Sequence, residues 1–257
     1  MNMKFVDTHT HLYDEQFETD LEQVISRALQ AGVQQMYLPN CDSTTIAPML
    51  AITDRWKDHC FPMMGLHPVY VKDSYLDELA IVKSWLEKGG FYAVGEIGLD
   101  KYWDLTHIEQ QKEAFSTQID WALEYDLPVV IHSRESTQDC IDIVRQKQDG
   151  RLRGIFHCFG GSLEEARQIT ELGLYLGIGG VVTFKKSNLT EVIGQVGLDG
   201  LVLETDAPYL APVPFRGKRN ECSYVPLIAQ KLADALGVTI DEVARATTAN
   251  AEKVFRN

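Results

Sequence analysis

Three observations predict an α/β fold built as a closed (β/α)8 TIM barrel. Short β-type runs alternate with longer helical patterns eight times along 257 residues, a length at which such barrels form one unit. Neither a Gly-x-Gly-x-x-Gly after the first strand nor a P-loop motif occurs, which argues against a doubly wound open sheet. Polar residues of metal-binding type recur where strands end, and a parallel barrel gathers its active site at those ends. Residues 1–257 read as one domain, because no linker, low-complexity tract or charge block divides them.

The elements follow in order. Residues 4–8 form the first expected strand and 18–31 the first helix, with Leu21, Val24, Ile25, Ala28 and Leu29 on one face and Gly32 ending it. Strands at 35–38, 61–65 and 92–96 are each followed by a helix, at 45–57, 74–87 and 108–125. The remaining strands are expected at 128–132, 154–157, 175–178 and 201–204, with helices at 137–147, 162–172, 188–196, 224–236 and 240–254. Residues 207–220 are rich in Pro and Gly, hold Arg216, Lys218 and Arg219, and read as a long loop after the eighth strand on the active-site face.

Composition narrows the function. A hydrophobic content of 45% and a charged content of 24% are those of an ordinary globular protein. A net charge of -13 argues against coating DNA by bulk electrostatics, while leaving room for an enzyme that engages a few phosphates locally. The 5 cysteines, Cys41, Cys60, Cys140, Cys158 and Cys222, are scattered and form no C-x-x-C pair, so a reducing, cytoplasmic setting is expected. Met1-Asn2-Met3-Lys4 lacks a signal-peptide core, and no apolar run reaches transmembrane length.

The chemistry starts at His9-Thr10-His11. Side chains two apart on a strand point the same way, so two imidazoles are aimed at one spot just past the first apolar run. Glu96, His132, His157 and Asp206 occupy equivalent places after strands four, five, six and eight. Four imidazoles and two carboxylates suffice for two divalent ions with one carboxylate bridging, roughly 3.5–4 Å apart. Glu96 lies in Gly95-Glu96-Ile97-Gly98, where small neighbours allow close approach. Of Glu204 and Asp206, Asp206 lies further out and is expected to be the ligand, with Glu204 supporting from behind. His67, in Gly65-Leu66-His67-Pro68, is expected to be a donor facing substrate rather than a ligand. Arg134 and the Arg216/Lys218/Arg219 group are expected to receive phosphate. His59 and His107, at helix ends, read as structural.

Six motifs in order, Asp7-Thr8-His9-Thr10-His11-Leu12, Gly65-Leu66-His67-Pro68, Gly95-Glu96-Ile97-Gly98-Leu99-Asp100, Val130-Ile131-His132-Ser133-Arg134, Phe156-His157-Cys158-Phe159-Gly160-Gly161 and Glu204-Thr205-Asp206-Ala207-Pro208-Tyr209, give a chain that resembles the TatD family of metal-dependent hydrolases. H-x-H alone marks the wider amidohydrolase superfamily; the ordered set is far more specific. The resemblance runs to Ala249-Asn250-Ala251 in the last helix. It implies a metal-bearing barrel and phosphodiester hydrolysis, usually of DNA. It also implies His9, His11, Glu96 and Asp206 around one ion and Glu96, His132 and His157 around a second.

The expected activity is therefore that of an exonuclease-like deoxyribonuclease. A water deprotonated with help from Asp206 attacks phosphorus at a site built on Glu96 and the paired metals. Mixed imidazole and carboxylate ligands suit zinc, manganese or magnesium. Two rivals differ in class: hydrolysis of a small ester, phosphate monoester or aminoacyl-tRNA ester, and an inactive barrel used as a binding scaffold. The basic loop leans toward phosphate, and the complete ligand set leans against a scaffold. DNA or another phosphodiester is the expected partner, with no membrane and no obligate protein partner.

Overall fold

Alternation along each strand separates two apolar layers. The computed structural model describes residues 3–256; Met1, Asn2 and Asn257, which the sequence reading includes in its domain and N-terminal segment, lie outside them. The strands are β1 (Phe5–Asp7), β2 (Val33–Leu38), β3 (Cys60–Pro62), β4 (Val94–Asp100), β5 (Val129–Arg134), β6 (Gly154–Phe156), β7 (Tyr175–Ile178) and β8 (Leu201–Leu203). All pairings are parallel and follow chain order, in ladders β1-β2-β3 and β4-β5-β6-β7-β8. Backbone hydrogen bonds join the two ladders at both seams. Met64 N–H donates to Ala93 O (3.1 Å) and Gly95 N–H to Met64 O (3.0 Å); Thr8 N–H donates to Leu203 O (3.0 Å) and His11 N–H to Ala207 O (2.7 Å).

The helices are α1 (Leu21–Gln30), α2 (Ile46–Arg55), α3 (Tyr75–Leu86), α4 (Ile108–Glu124), α5 (Thr137–Lys147), α6 (Leu163–Glu171), α7 (Leu189–Val196), α8 (Val225–Leu236) and α9 (Ile240–Phe255). Outward strand residues such as Met36, Leu38, Val129, Ile131, Leu201 and Leu203 pack against their apolar faces. Ser162 with Glu165 and Thr239 with Glu242 form capping boxes that start α6 and α9. No helix among the described residues is long and apolar enough to cross a membrane.

Inward residues Val6, Tyr37, Phe61, Val130, Ile155 and Val202 fill the barrel, together with Val254 and Phe255 from α9. Phe255 stacks on Tyr37 with ring centroids 3.7 Å apart. One end of the barrel is therefore plugged by hydrocarbon. Two residues further along the same inward register come His132, His157 and Glu204, and the interior turns polar.

Strand four departs from expectation. It runs from Val94 to Asp100 rather than ending at Glu96. Its pairing with β5 slips between Gly95 and Ile97, so Glu96 is a bulge residue with no partner across the ladder. A bulge re-aims one side chain, and here that side chain is the central carboxylate. Gly98 continues the strand at φ +137, where an added Cβ would stand 2.0 Å from His132 O. The two glycines that weaken the strand signal in sequence are what let β4 approach β5 this closely.

Candidate active site

The polar end of the barrel is centred on Glu96, which is almost fully buried. Its two oxygens face different partners. Oε2 lies 3.0 Å from His9 Nε2 and 3.7 Å from His11 Nε2. Oε1 lies 2.8 Å from His157 Nε2, 2.9 Å from His132 Nδ1 and 3.3 Å from His67 Nε2. Asp206 Oδ1 closes the first group, 3.4 Å from His11 Nε2 and 3.7 Å from His9 Nε2. The four imidazoles and two carboxylates named from sequence thus converge, although His9 and His11 lie just past the end of β1.

Hydrogen-bond roles decide which nitrogens present lone pairs. Tyr13 O–H donates to Pro39 O, so His11 Nδ1, 2.8 Å from the Tyr13 oxygen, must be the donor there. Neutral His11 then turns an unprotonated Nε2 to the centre. Asp100 Oδ2 accepts from His132 Nε2 (2.8 Å), which leaves neutral His132 with a bare Nδ1 facing Glu96. A carboxylate fixing the far nitrogen is the arrangement that orients metal-binding histidines. His67 is the reverse. Val69 N–H donates to its Nδ1 (3.1 Å), so its Nε2 carries the hydrogen and donates toward Glu96. His67 sits close enough to belong to a ligand group, but its tautomer makes it a donor.

Bare nitrogens facing carboxylate oxygens at about 3–3.5 Å repel unless a cation or a proton lies between them. Among the described residues, the buried atoms His9 Nδ1, His157 Nδ1 and Glu204 Oε2 have no hydrogen-bond partner. The first fact fits a divalent metal between the facing atoms. Carboxylates compete with burial for a proton on the imidazoles: burial opposes charge, yet Cys41 and Asp206 pull His11 well above the ordinary value, and Asp100 and Glu96 raise His132. Burial acts to raise the Glu96 carboxyl, but His157, His67 and His9 hold it well below the usual carboxylate range. Burial opposes charge on His157, yet Glu96 and Glu204 pull it well above the ordinary imidazole value. Burial lowers His9, with His157 adding to the effect.

Residues behind the centre hold it in place. Glu204 is fully buried and accepts from Cys158 N–H (2.6 Å), with His157 Nδ1 3.6 Å away. An added Cβ on Gly177 would stand 2.2 Å from Glu204 Oε2, so that glycine makes room for the carboxylate. Asp7 accepts from Thr205 N–H (2.9 Å) and Thr205 O–H (2.6 Å), tying the His9 segment to the Asp206 segment. Burial pushes the Asp7 carboxyl up to about 7 against those bonds. Sequence reasoning assigned no role to Asp7 or Asp100. Period-two spacing from Glu96 through Gly98 to Asp100 is the signal that points to Asp100; Asp7 has none beyond its place beside His9.

The centre opens into a cleft of about 1120 Å³ lined by His11, His67, His132, Arg134 and Asp206, among others. Arg216 and Lys218, expected to contact substrate phosphate, are not among the residues lining it. The loop gives Tyr209 and Leu210 to the lining, while Arg216 lies 4.4 Å over the Phe184 ring, Lys218 is 6.0 Å from that of Phe215, and Arg219 is paired with Asp20 (2.7 Å). His59 bonds Gln34 O (2.9 Å) and His107 precedes α4, both away from the cleft.

The family model described as TatD related DNase matches residues 6–256. The chain is 41% identical over 251 residues to the protein named Uncharacterized metal-dependent hydrolase YabD of Bacillus subtilis, covering 97% of this chain and 98% of that one. It is 32% identical over 255 residues to the 3'-5' ssDNA/RNA exonuclease TatD of Pantoea ananatis, covering 97% and 98%. The crystal structure of the TatD homologue YjjV from Escherichia coli superposes with a TM-score of 0.94 at 31% identity, covering 100% of both chains. The Escherichia coli phosphotriesterase homology protein shares the fold at 13% identity, with a TM-score of 0.73 and 99% coverage of each chain. The ordered motifs, the buried carboxylate–imidazole centre and these matches place the chain in the TatD family of metal-dependent hydrolases.

Proposed function

We propose that this protein is a two-metal phosphodiesterase that trims single-stranded nucleic acid, DNA foremost, from an end. The observation that carries the reading is the division of Glu96: one oxygen belongs to the His9, His11 and Asp206 group and the other to His132 and His157. His9, His11, Glu96 and Asp206 would hold one divalent ion, and Glu96, His132 and His157 a second. Zinc, manganese or magnesium suits such donors. Ions so held acidify a water and offset charge on phosphoryl oxygens.

The chain's own groups do the rest. Asp206 lines the cleft whereas Glu204 is fully buried, so Asp206 takes the proton as the water oxygen bonds to phosphorus, and the P–O ester bond breaks with its oxygen leaving as the alcohol, protonated from solvent. His67 donates its Nε2 hydrogen into the site, and Arg134 offers a fixed guanidinium to the phosphate. A scissile bond at the bottom of a cleft favours a single strand or a strand end over the middle of a duplex. The 3'-5' ssDNA/RNA exonuclease name of the Pantoea ananatis relative supports the same substrate class. The unpaired cysteines support a reducing compartment such as the cytoplasm.

The test is a substrate panel. Metal-stripped protein, reconstituted with each ion in turn, is assayed on single-stranded DNA, duplex DNA, a phosphate monoester and aminoacyl-tRNA. Release of mononucleotides from single strands, with more than one ion bound, is the expected result. Turnover of the monoester or the aminoacyl ester alone overturns the nuclease reading, and a stoichiometry that never exceeds one overturns the bridging role of Glu96.

A further inference from the structure

The segment after β4 carries two large exposed aromatics, Tyr102 at 50% and Trp103 at 65% exposure, beside a cleft whose chemistry does not need them. Their rings meet edge to face with centroids 4.9 Å apart. The Arg134 guanidinium lies 3.8 Å over Tyr102 and 5.2 Å from the Trp103 ring centroid. Among the described residues that guanidinium has no hydrogen bond or ion pair, so its N–H edges are available and its position is set by stacking. Trp103 and Arg134 line the same cleft as His132 and Asp206.

The placement is tied to the catalytic centre through one carboxylate. Asp100 Oδ2 accepts from His132 Nε2 (2.8 Å), while its Oδ1 accepts from the backbone N–H of Tyr102 (2.9 Å) and Trp103 (3.1 Å). A turn of this kind fixes its residues relative to the imidazole that faces Glu96. Tyr70 and Tyr209, also exposed, line the same cleft.

We propose that Tyr102, Trp103 and Arg134 form a base-stacking platform that seats one nucleotide flanking the scissile phosphate. The inference rests on the nuclease reading and gives it a determinant of strand preference. An exposed aromatic face accepts any unstacked base, because every base has a π-face. A stacked guanidinium beside it takes the adjoining phosphate. A base held in a duplex cannot reach such a platform without unpairing, so the platform selects single strands and frayed ends, with little sequence preference.

The experiment uses the metal-loaded protein and a nuclease-resistant oligonucleotide with 2-aminopurine at the end nucleotide or at its neighbour. Stacking on Trp103 quenches the probe at one of the two positions. W103A should abolish the quench and weaken binding roughly five- to 150-fold, the loss of one stacked base, while W103F restores most of it. An abasic residue at the sensitive position should weaken binding to the wild type by a similar factor and leave W103A unmoved. Hydrolysis of a diester lacking a base should be the same in both. Normal oligonucleotide turnover with no quench at either position and no effect of W103A overturns the platform while leaving the nuclease reading intact. Absence of oligonucleotide hydrolysis overturns the nuclease reading, and quenched binding in that case still supports the platform. Burial of Trp103 in a dimer, seen as a change of sedimentation on W103A, overturns it.

Discussion

Glu96 and Asp100 sit four residues apart on one strand and act at opposite sides of His132. Replacing Glu96 by Ala removes the shared carboxylate from both halves of the centre. Activity should fall by at least about 100-fold, and bound metal should drop below that of the wild type by elemental analysis. The metal-free variant should lose little stability, because the deleted charge is buried among imidazoles rather than packed in the hydrocarbon core. Asp100→Ala should weaken metal affinity by about 10–100-fold, the usual effect of losing a carboxylate behind a metal-binding histidine. Titration of the stripped protein measures it. A variant that binds metal as tightly as the wild type would remove Asp100 from that role.

At the scale of elements, β4 is the most constrained. Gly98→Ala places a Cβ 2.0 Å from His132 O at φ +137, and neither the backbone oxygen nor the dihedral can yield cheaply. A loss of about 3 kcal/mol or more in urea denaturation is expected, with activity lost in the surviving folded fraction. Helix α1 is pinned to the segment before α8 by Arg27 and Glu221, which form two charge-assisted hydrogen bonds of 2.9 and 2.7 Å. Burial acts to raise the Glu221 carboxyl, but its bonds from Arg27 and Ser223 leave it below its ordinary value. The unfolded chain therefore binds this proton more readily than the folded one. The stabilisation is present above the unfolded value and is lost as pH falls through the depressed folded value. Urea midpoints measured from neutral pH down to about 3 should fall less steeply in Arg27→Ala than in the wild type. An unchanged slope would show that the pair does not couple to folding.

For the whole molecule, a net charge of -13 leaves the proposed binding of nucleic acid to the cleft rather than to the surface. Reversing Arg216 and Lys218 to Glu together should change KM on an oligonucleotide less than Arg134→Ala does, because the first two lie outside the cleft lining and Arg134 within it. The reverse order would return the phosphate role to the loop after β8. Metal removal should lower the thermal midpoint of the intact barrel. Each proposed site would be worth about 2.7 kcal/mol when free metal is 100-fold above its dissociation constant, and Glu96→Ala should lose most of that increment.

Much of this was legible in the chain. The period of two that buries Val130, Ile155 and Val202 also delivers His132, His157 and Glu204 to the interior, at the strand ends where the sequence placed them. Eight alternations of strand and helix implied the ring, and six ordered motifs implied the family. Those signals are local, set by side-chain spacing and backbone propensity. What the chain could not disclose depends on contacts between distant segments. Glu96 escapes the simple alternation because β4 bulges against β5, a feature of pairing rather than of propensity. The tautomers of His11, His67 and His132 are set by Tyr13, Val69 and Asp100, whose hydrogen bonds exist only once the loops are in place. The loop at 207–220 reads as a phosphate clamp by composition, yet Asp20 pairs with Arg219, and neither Arg216 nor Lys218 lines the cleft. Composition reports which charges a segment carries; only the packed structure determines which of them are already partnered and which remain free to meet substrate.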